Sequence, residues 1–191
     1  MALHRLRKTQ EVDVVGLLTT IDEATRMVAF HRVSEVMVEA QAKAMGLPLS
    51  FISIPNKCPN AEYETRVLQA LRNFHHRVEW LVFGDLFLED IRQYRENFFK
   101  NSSFKPIFPL WGADTLNLSR EIIQVGIKAV ITGVDPIKLD PQCIGKPYDE
   151  VFLMGLDPIT DPCGENGEFH TFVWDSPEFS KPIDKPHAKV C

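Results

Sequence analysis

Cysteine is scarce. Four cysteines are spread over 191 residues, and no two form a Cys-x-x-Cys pair. That argues against a zinc site and a disulfide framework, and for a reducing, cytoplasmic setting. No apolar run approaches the roughly 20 residues a membrane helix requires. Basic charge is also short: the net charge is −5, so there is no electrostatic footprint for nucleic acid. Residues 1–8 carry basic side chains, but no apolar segment or cleavage site follows, so a secretory signal is not expected. Two phosphate-binding patterns are missing: Gly-x-x-x-x-Gly-Lys-Ser/Thr, and Gly-x-Gly-x-x-Gly after a strand. No Ser-His-Asp or Cys-His set follows from spacing alone. What is present, 45% hydrophobic and 25% charged residues, is the balance of a globular protein. The length suits one domain with a small appendage.

The apolar pattern carries most of the fold reading. Residues 1–8 read as an amphipathic helix, with Ala2, Leu3 and Leu6 on one side and no N-cap. Residues 12–18 form a continuous apolar run, broken at Gly16, of the kind that makes a strand buried on both faces. Thr19 and Thr20 follow its end. A helix is expected over 31–45, closed by Gly46 and Pro48, then a strand over 49–54. Asn60 is placed to cap the next helix, which carries Tyr63, Val67, Ala70, Leu71 and Phe74 on one face. A strand over 79–83 ends in Gly84-Asp85, and a helix over 87–99 follows. Residues 104–108 make a fourth strand that runs into Pro109-Leu110-Trp111-Gly112. Asp114 caps a helix to residue 125, Gly126 stops it, and 127–132 is a fifth strand.

This alternation predicts an α/β fold: an open, mostly parallel sheet with helices on both faces. After Gly133 the rhythm breaks at Pro136, Pro141 and Pro147, with one short helix over 149–156. The expected organisation is an α/β domain over 1–133, a small C-terminal α+β appendage over 134–180, and a tail over 181–191.

Residues 161–179 combine turn chemistry with strand chemistry. Pro162, Gly164 and Gly167 surround Glu165 and Asn166, and Glu168 leads into a run of β-branched and aromatic residues. Phe169, Thr171 and Val173 alternate with His170, Phe172 and Trp174. A polar loop held by an apolar strand is a common way to build a site; a solvated lead-in to a hairpin is the alternative.

In open α/β sheets, ligands bind beyond the carboxyl ends of the strands. Thr19, Thr20, Gly84-Asp85 and Pro109-Leu110-Trp111 fall there. Asp85 suits a ribose hydroxyl, an adenine amino group or a metal-bound water, or else the cap of the following helix. Trp111 suits base stacking or the core. His31 reads as a helix cap or surface group, His75 and His76 as a helix end, and Cys163 as a small loop residue.

Together these stretches resemble the adenine nucleotide alpha hydrolases, an ATP pyrophosphatase group, and within it the diphthine–ammonia ligase-like proteins. The resemblance runs in order from Ala2 to Phe179. It includes Leu17-Leu18-Thr19-Thr20; Gln41-Ala42 with Gly46-Leu47-Pro48-Leu49; and Tyr63-Glu64. Gly84-Asp85 through Leu88-Glu89-Asp90 to Tyr94-Arg95-Glu96 continues it, then Pro109-Leu110-Trp111, and Glu121 with Gly126. It ends in Cys163-Gly164-Glu165-Asn166-Gly167-Glu168-Phe169-His170-Thr171, the most specific run.

The resemblance implies a HUP-type, Rossmann-like nucleotide-binding domain over 1–133 and an acceptor-site region over 134–180. It implies ATP and Mg2+, cleavage of ATP between the α and β phosphates, an acceptor carboxylate activated as an adenylate, and ammonia displacing AMP. By resemblance, Thr19, Thr20, Gly84 and Asp85 bind the nucleotide, while Glu165, Glu168 and His170 are catalytic. Gly164, Gly167, Thr171 and Trp111 bind the acceptor, which carries a carboxylate and includes proteins among its candidates. No protein-built metal site is expected, and a homo-oligomer is allowed.

Two departures stand out. Family members begin with a strand and a Ser-Gly-Gly-Lys-Asp-Ser loop that leads directly into a segment like Ala2-Leu3-His4-Arg5-Leu6. The strand is normally central, between those corresponding to 12–18 and 79–83. Neither loop nor strand is in this sequence. A reading frame opened at an internal methionine is the expected explanation, because a sheet without its middle strand leaves backbone groups unpaired, at about 1–3 kcal/mol each. A true short form, unable to cradle triphosphate, is the alternative. The second departure is His170, where diphthine-making members carry a glutamate in Glu-Tyr-Glu or Glu-Phe-Glu. Imidazole for carboxylate changes charge and hydrogen bonding, and leaves the acceptor open.

Overall fold

The computed structural model describes residues 1–28, 31 and 33–186. The end of the expected tail, 187–191, lies outside the described residues. Helix α1 (Ala2–Thr9) starts without a side-chain cap and closes at Gln10, in the left-handed region at φ 56°. Strand β1 (Leu17–Asp22) is followed by a short antiparallel pair, β2 (Met27–Val28) and β3 (Val33–Ser34), then helix α2 (Glu35–Met45) and β4 (Leu49–Ile54). β1 and β4 are parallel, Leu17 against Leu49.

The first strand therefore lies later than the apolar run at 12–18 suggested. Its partner sets the start. Pro48 has no N–H to donate, so the ladder begins where the Leu17 amide donates to the Pro48 carbonyl, at 2.8 Å. Thr19 and Thr20 are consequently inside β1, opposite Phe51 and Ile52, and not beyond its end. The β2–β3 pair was not foreseen, since two-residue strands leave too short a pattern to read.

Helix α3 (Asn60–Arg72) has Pro59 at its N-cap position, so Asn60 is the first helical residue and not the cap. Strand β5 (Trp80–Val82), helix α4 (Glu89–Phe99) and strand β6 (Lys105–Ile107) follow, with β5 and β6 parallel. Leu88 occupies the N-cap position of α4, so Asp85 does not cap it. Helix α5 (Thr115–Gln124) is capped as expected: the Asn117 amide donates to Asp114 Oδ1 at 2.8 Å. One core forms where Ile52, Val67, Leu71, Phe99 and Phe104 meet, joining α3 and α4 to the strands beneath.

Strand β7 (Lys128–Val134) differs from the expected fifth parallel strand. It is the centre of a three-stranded antiparallel sheet, between β8 (Pro147–Tyr148) and β9 (Phe169–Asp175). Helix α6 (Glu150–Met154), capped by Asp149, covers it. The apolar run in β7 marks a strand buried on both faces but does not say which neighbour pairs with it. β9 does so by burying Phe169 with Ala129, Ile131, Tyr148 and Phe152, and Phe172 with Val33 and Val130 on the other side.

The fold class is nonetheless the α/β one, with parallel strand pairs and helices. Its parallel strands form two separate pairs, β1–β4 and β5–β6. Among the described residues no strand bridges the facing edges of β1 and β5. A groove of about 900 Å3 runs between them, lined by β1, β5 and side chains from α1, α3 and α4.

The two proposed caps separate cleanly by mutation. Asp114→Ala is expected to cost about 1 kcal/mol, and Asn60→Ala to stay within about 0.5 kcal/mol, in urea unfolding.

Candidate functional site

The loop before β9 is built from its own carboxylates. The Glu165 amide donates to Asp161 Oδ2 at 2.7 Å, and the Asp161 amide donates to Glu168 Oε1 at 3.1 Å. Asn166 Nδ2 donates to the same Glu168 oxygen at 3.2 Å. Two tight turns close it, Gly164 N to the Asp161 carbonyl and Gly167 N to the Gly164 carbonyl. Both glycines have positive φ, 71° and 79°. Gly164 is doubly constrained, because a Cβ there would sit 2.8 Å from the Phe169 carbonyl oxygen. Gly164→Ala is therefore expected to destabilise the chain by about 1–3 kcal/mol, read from a lower urea midpoint at unchanged slope.

This loop docks on the carboxyl ends of β5 and β6. The Leu86 amide donates to Glu165 Oε1 at 2.6 Å, and the Gly112 amide donates to the Leu86 carbonyl at 2.8 Å. Gly84-Asp85-Leu86, Trp111-Gly112 and Glu165 are thus brought together. Burial raises the Glu165 pKa above its ordinary value, and the charges of Asp85 and Asp161 add to the effect; the Leu86 bond acts against it. Asp161 and Glu168 are buried, at 8% and 4% exposure. Asp161 Oδ1 and Glu168 Oε2 have no hydrogen-bond partner among the described residues.

Asp85 is already engaged. Arg95 grips it with a fork, Nε to Oδ2 at 2.8 Å and Nη2 to Oδ1 at 3.2 Å, and stacks over Phe83 at 4.1 Å. Trp111 is engaged too: its ring meets the Arg92 guanidinium at 4.6 Å and Phe108 edge-on. Gly84 is exposed. Thr19 and Thr20 line the β1 side of the groove, and Tyr94 and Arg95 line it from α4. Arg95 had no local signal, since its tie to Asp85 spans a loop and a helix turn. Asp161 had one: an Asp-Pro start four residues before Glu165 favours a side-chain-closed turn.

On β9, Thr171 pairs with Ile131, and the His170 carbonyl accepts from Thr132 Oγ1 at 3.3 Å. The His170 ring lies 4.7 Å from that of His31, which precedes β3 and starts no helix. Burial lowers the pKa of both imidazoles, and for His31 the neighbouring His170 adds to it. Cys163 donates weakly to the Thr115 carbonyl, and burial raises its pKa to about 12, far from a reactive thiolate.

The histidine shifts have a definite sign. The unfolded chain takes up protons near the ordinary value of 6.5 before the folded one does, so these groups withdraw stability as pH falls below it. His170→Gln removes one contribution. The stability of wild type relative to this variant is expected to decline as pH drops from about 7 to about 5, in urea unfolding followed across that range.

The arrangement is that of an α/β protein whose loops beyond parallel strands meet an anionic, glycine-turned loop from a neighbouring sheet. The family model for the diphthamide synthase N-terminal domain matches residues 1–106, and that for the diphthamide synthase C-terminal domain matches 114–189. The chain belongs to the diphthamide synthase family. The protein named diphthine–ammonia ligase in Homo sapiens is 32% identical over 178 residues, covering 84% of this chain and 66% of that protein. Its namesake in Bos taurus is 31% identical with the same coverage. That of Schizosaccharomyces pombe is 28% identical over 122 residues, 62% of this chain and 20% of that protein. The chain thus spans just under two thirds of the length of the mammalian relatives.

Proposed function

We propose that the chain acts as an ATP-dependent amide ligase of the kind its relatives' name describes. An acceptor carboxylate oxygen attacks the α-phosphorus of ATP, and pyrophosphate leaves with the bridging oxygen. Ammonia then attacks the acyl carbon, AMP leaves, and the nitrogen loses one proton. The observation that carries this reading is the Asp161–Glu168 loop, a carboxylate-rich loop anchored through Glu165 at the ends of parallel strands, in a chain of this family.

In this scheme Thr19, Thr20, Gly84 and Asp85 face the nucleotide. Gly164, Gly167, Thr171 and Trp111 shape the acceptor side, with Glu165, Glu168 and His170 at the chemistry. Glu165, with its raised pKa, suits the proton released from nitrogen. Magnesium belongs to the substrate, as MgATP. Among the described residues no three His, Cys, Asp or Glu side chains are grouped to hold a metal ion, and nucleotide-bound magnesium draws most of its ligands from phosphate and water. A cytoplasmic setting is part of the proposal; among the described residues no helix is long and apolar enough to cross a membrane.

A second reading, an adenine-nucleotide-binding module without turnover, is favoured by one observation. The β1–β5 groove, which Thr19 and Thr20 line, is walled largely by Leu, Val and Phe side chains.

The test supplies MgATP, ammonium chloride and a diphthine-bearing acceptor protein. Pyrophosphate, AMP and amide in equal amounts are expected. AMP or ATP raising the melting temperature with no pyrophosphate released supports the module instead; no adenine nucleotide raising it removes both readings.

A further inference from the structure

We propose that Asp161 and Glu168 form a buried ammonium-binding site, their free carboxylate oxygens accepting hydrogen bonds from one NH4+. The role assigned to that ion rests on the ligase reading above; the site itself rests on geometry. Both side chains are more than nine-tenths buried. Each has one oxygen locked: Asp161 Oδ2 by the Glu165 amide, Glu168 Oε1 by the Asp161 amide and Asn166 Nδ2. The other oxygen of each, Asp161 Oδ1 and Glu168 Oε2, meets no donor among the described residues. A buried charged acceptor without a partner is strongly destabilising, so the pair calls for a donor, and none meets it among the described residues.

Charge and size narrow that donor. No lysine or arginine forms an ion pair with Asp161, Glu165 or Glu168 among the described residues. Lys138 reaches the loop, but it donates to the Asn166 carbonyl at 2.8 Å. A small cation from solution would satisfy both oxygens and offset their charge. Among the described residues no third metal-ligating side chain completes a cage around the pair. Ammonium suits this: it carries four directed N–H donors and one positive charge, and charge-assisted bonds to carboxylates are the strong kind.

Held here, the nitrogen lies in the loop that carries Glu165, on the acceptor side of the proposed reaction. Transfer of one ammonium proton to a loop carboxylate leaves neutral NH3 with a free lone pair, and no other reagent is needed. The site would thus both concentrate the nucleophile and hold it unreactive as NH4+ until an acyl group arrives.

The 191-residue chain is titrated with ammonium chloride, with sodium chloride and potassium chloride at matched ionic strength. Thermal melting and the NMR signal of 15N-ammonium are followed. Ammonium is expected to raise the melting temperature saturably beyond both other salts, with a bound 15N signal in slow proton exchange. The isosteric variants Asp161→Asn and Glu168→Gln are each expected to raise the half-saturating ammonium concentration about tenfold or more. Wild type responding equally to potassium and ammonium, or to neither, overturns the site without need of any variant. Saturable ammonium binding without amide formation upholds the site and removes the ligase reading. Amide formation with an unchanged KM for ammonium in Glu168→Gln does the reverse.

Discussion

The hydrogen bond from the Leu86 amide to the Glu165 carboxylate is the joint on which the candidate site depends. It ties a loop of the antiparallel β7–β8–β9 sheet to the carboxyl end of β5. The Leu86 carbonyl passes the link on to Gly112, beyond β6. Behind Glu165, its own amide is held by Asp161, whose amide in turn is held by Glu168. One partly buried carboxylate thus sets the spacing between elements far apart in the chain. Burial raises its pKa, and the Leu86 N–H offsets part of that desolvation.

The two sides of this joint are treated oppositely. On the strand side, Asp85 is neutralised by a forked Arg95, and Trp111 is covered by Arg92. Those side chains are held rigid by intramolecular partners. On the loop side the carboxylates of Asp161, Glu165 and Glu168 are held by amides, and among the described residues no Lys or Arg forms an ion pair with them. A rigid anionic cluster facing a neutralised strand end suits the capture of a small cation or the stabilisation of positive charge at nitrogen.

Much of this was legible in the residues. The strand at Leu49–Ile54 and the Asp114 cap followed from apolar pattern and capping chemistry. The turns at Gly164 and Gly167 followed from residue types that tolerate positive φ. The expectations that failed share one cause. The alternative reading of Asp85 as a cap fails because its partner is Arg95, ten residues on and inside α4. The first strand was misplaced because the partner residue Pro48, rather than the apolar run itself, decides where pairing starts. β7 was assigned to a parallel sheet because strand–helix alternation usually means that, yet its neighbours come from later in the chain.

The sequence by itself determined the α/β class, most helices, the turn chemistry of the 161–168 loop and the resemblance of its motifs to one family. These rest on local physics: side-chain periodicity, capping and the conformational freedom of glycine act within a few residues. Only the tertiary structure decided which strands pair, that the parallel strands fall into two pairs with a groove between them, that His31 meets His170, and which carboxylate oxygens are buried without a donor. Those depend on contacts between distant residues, and whether a polar atom is satisfied is a property of everything packed around it.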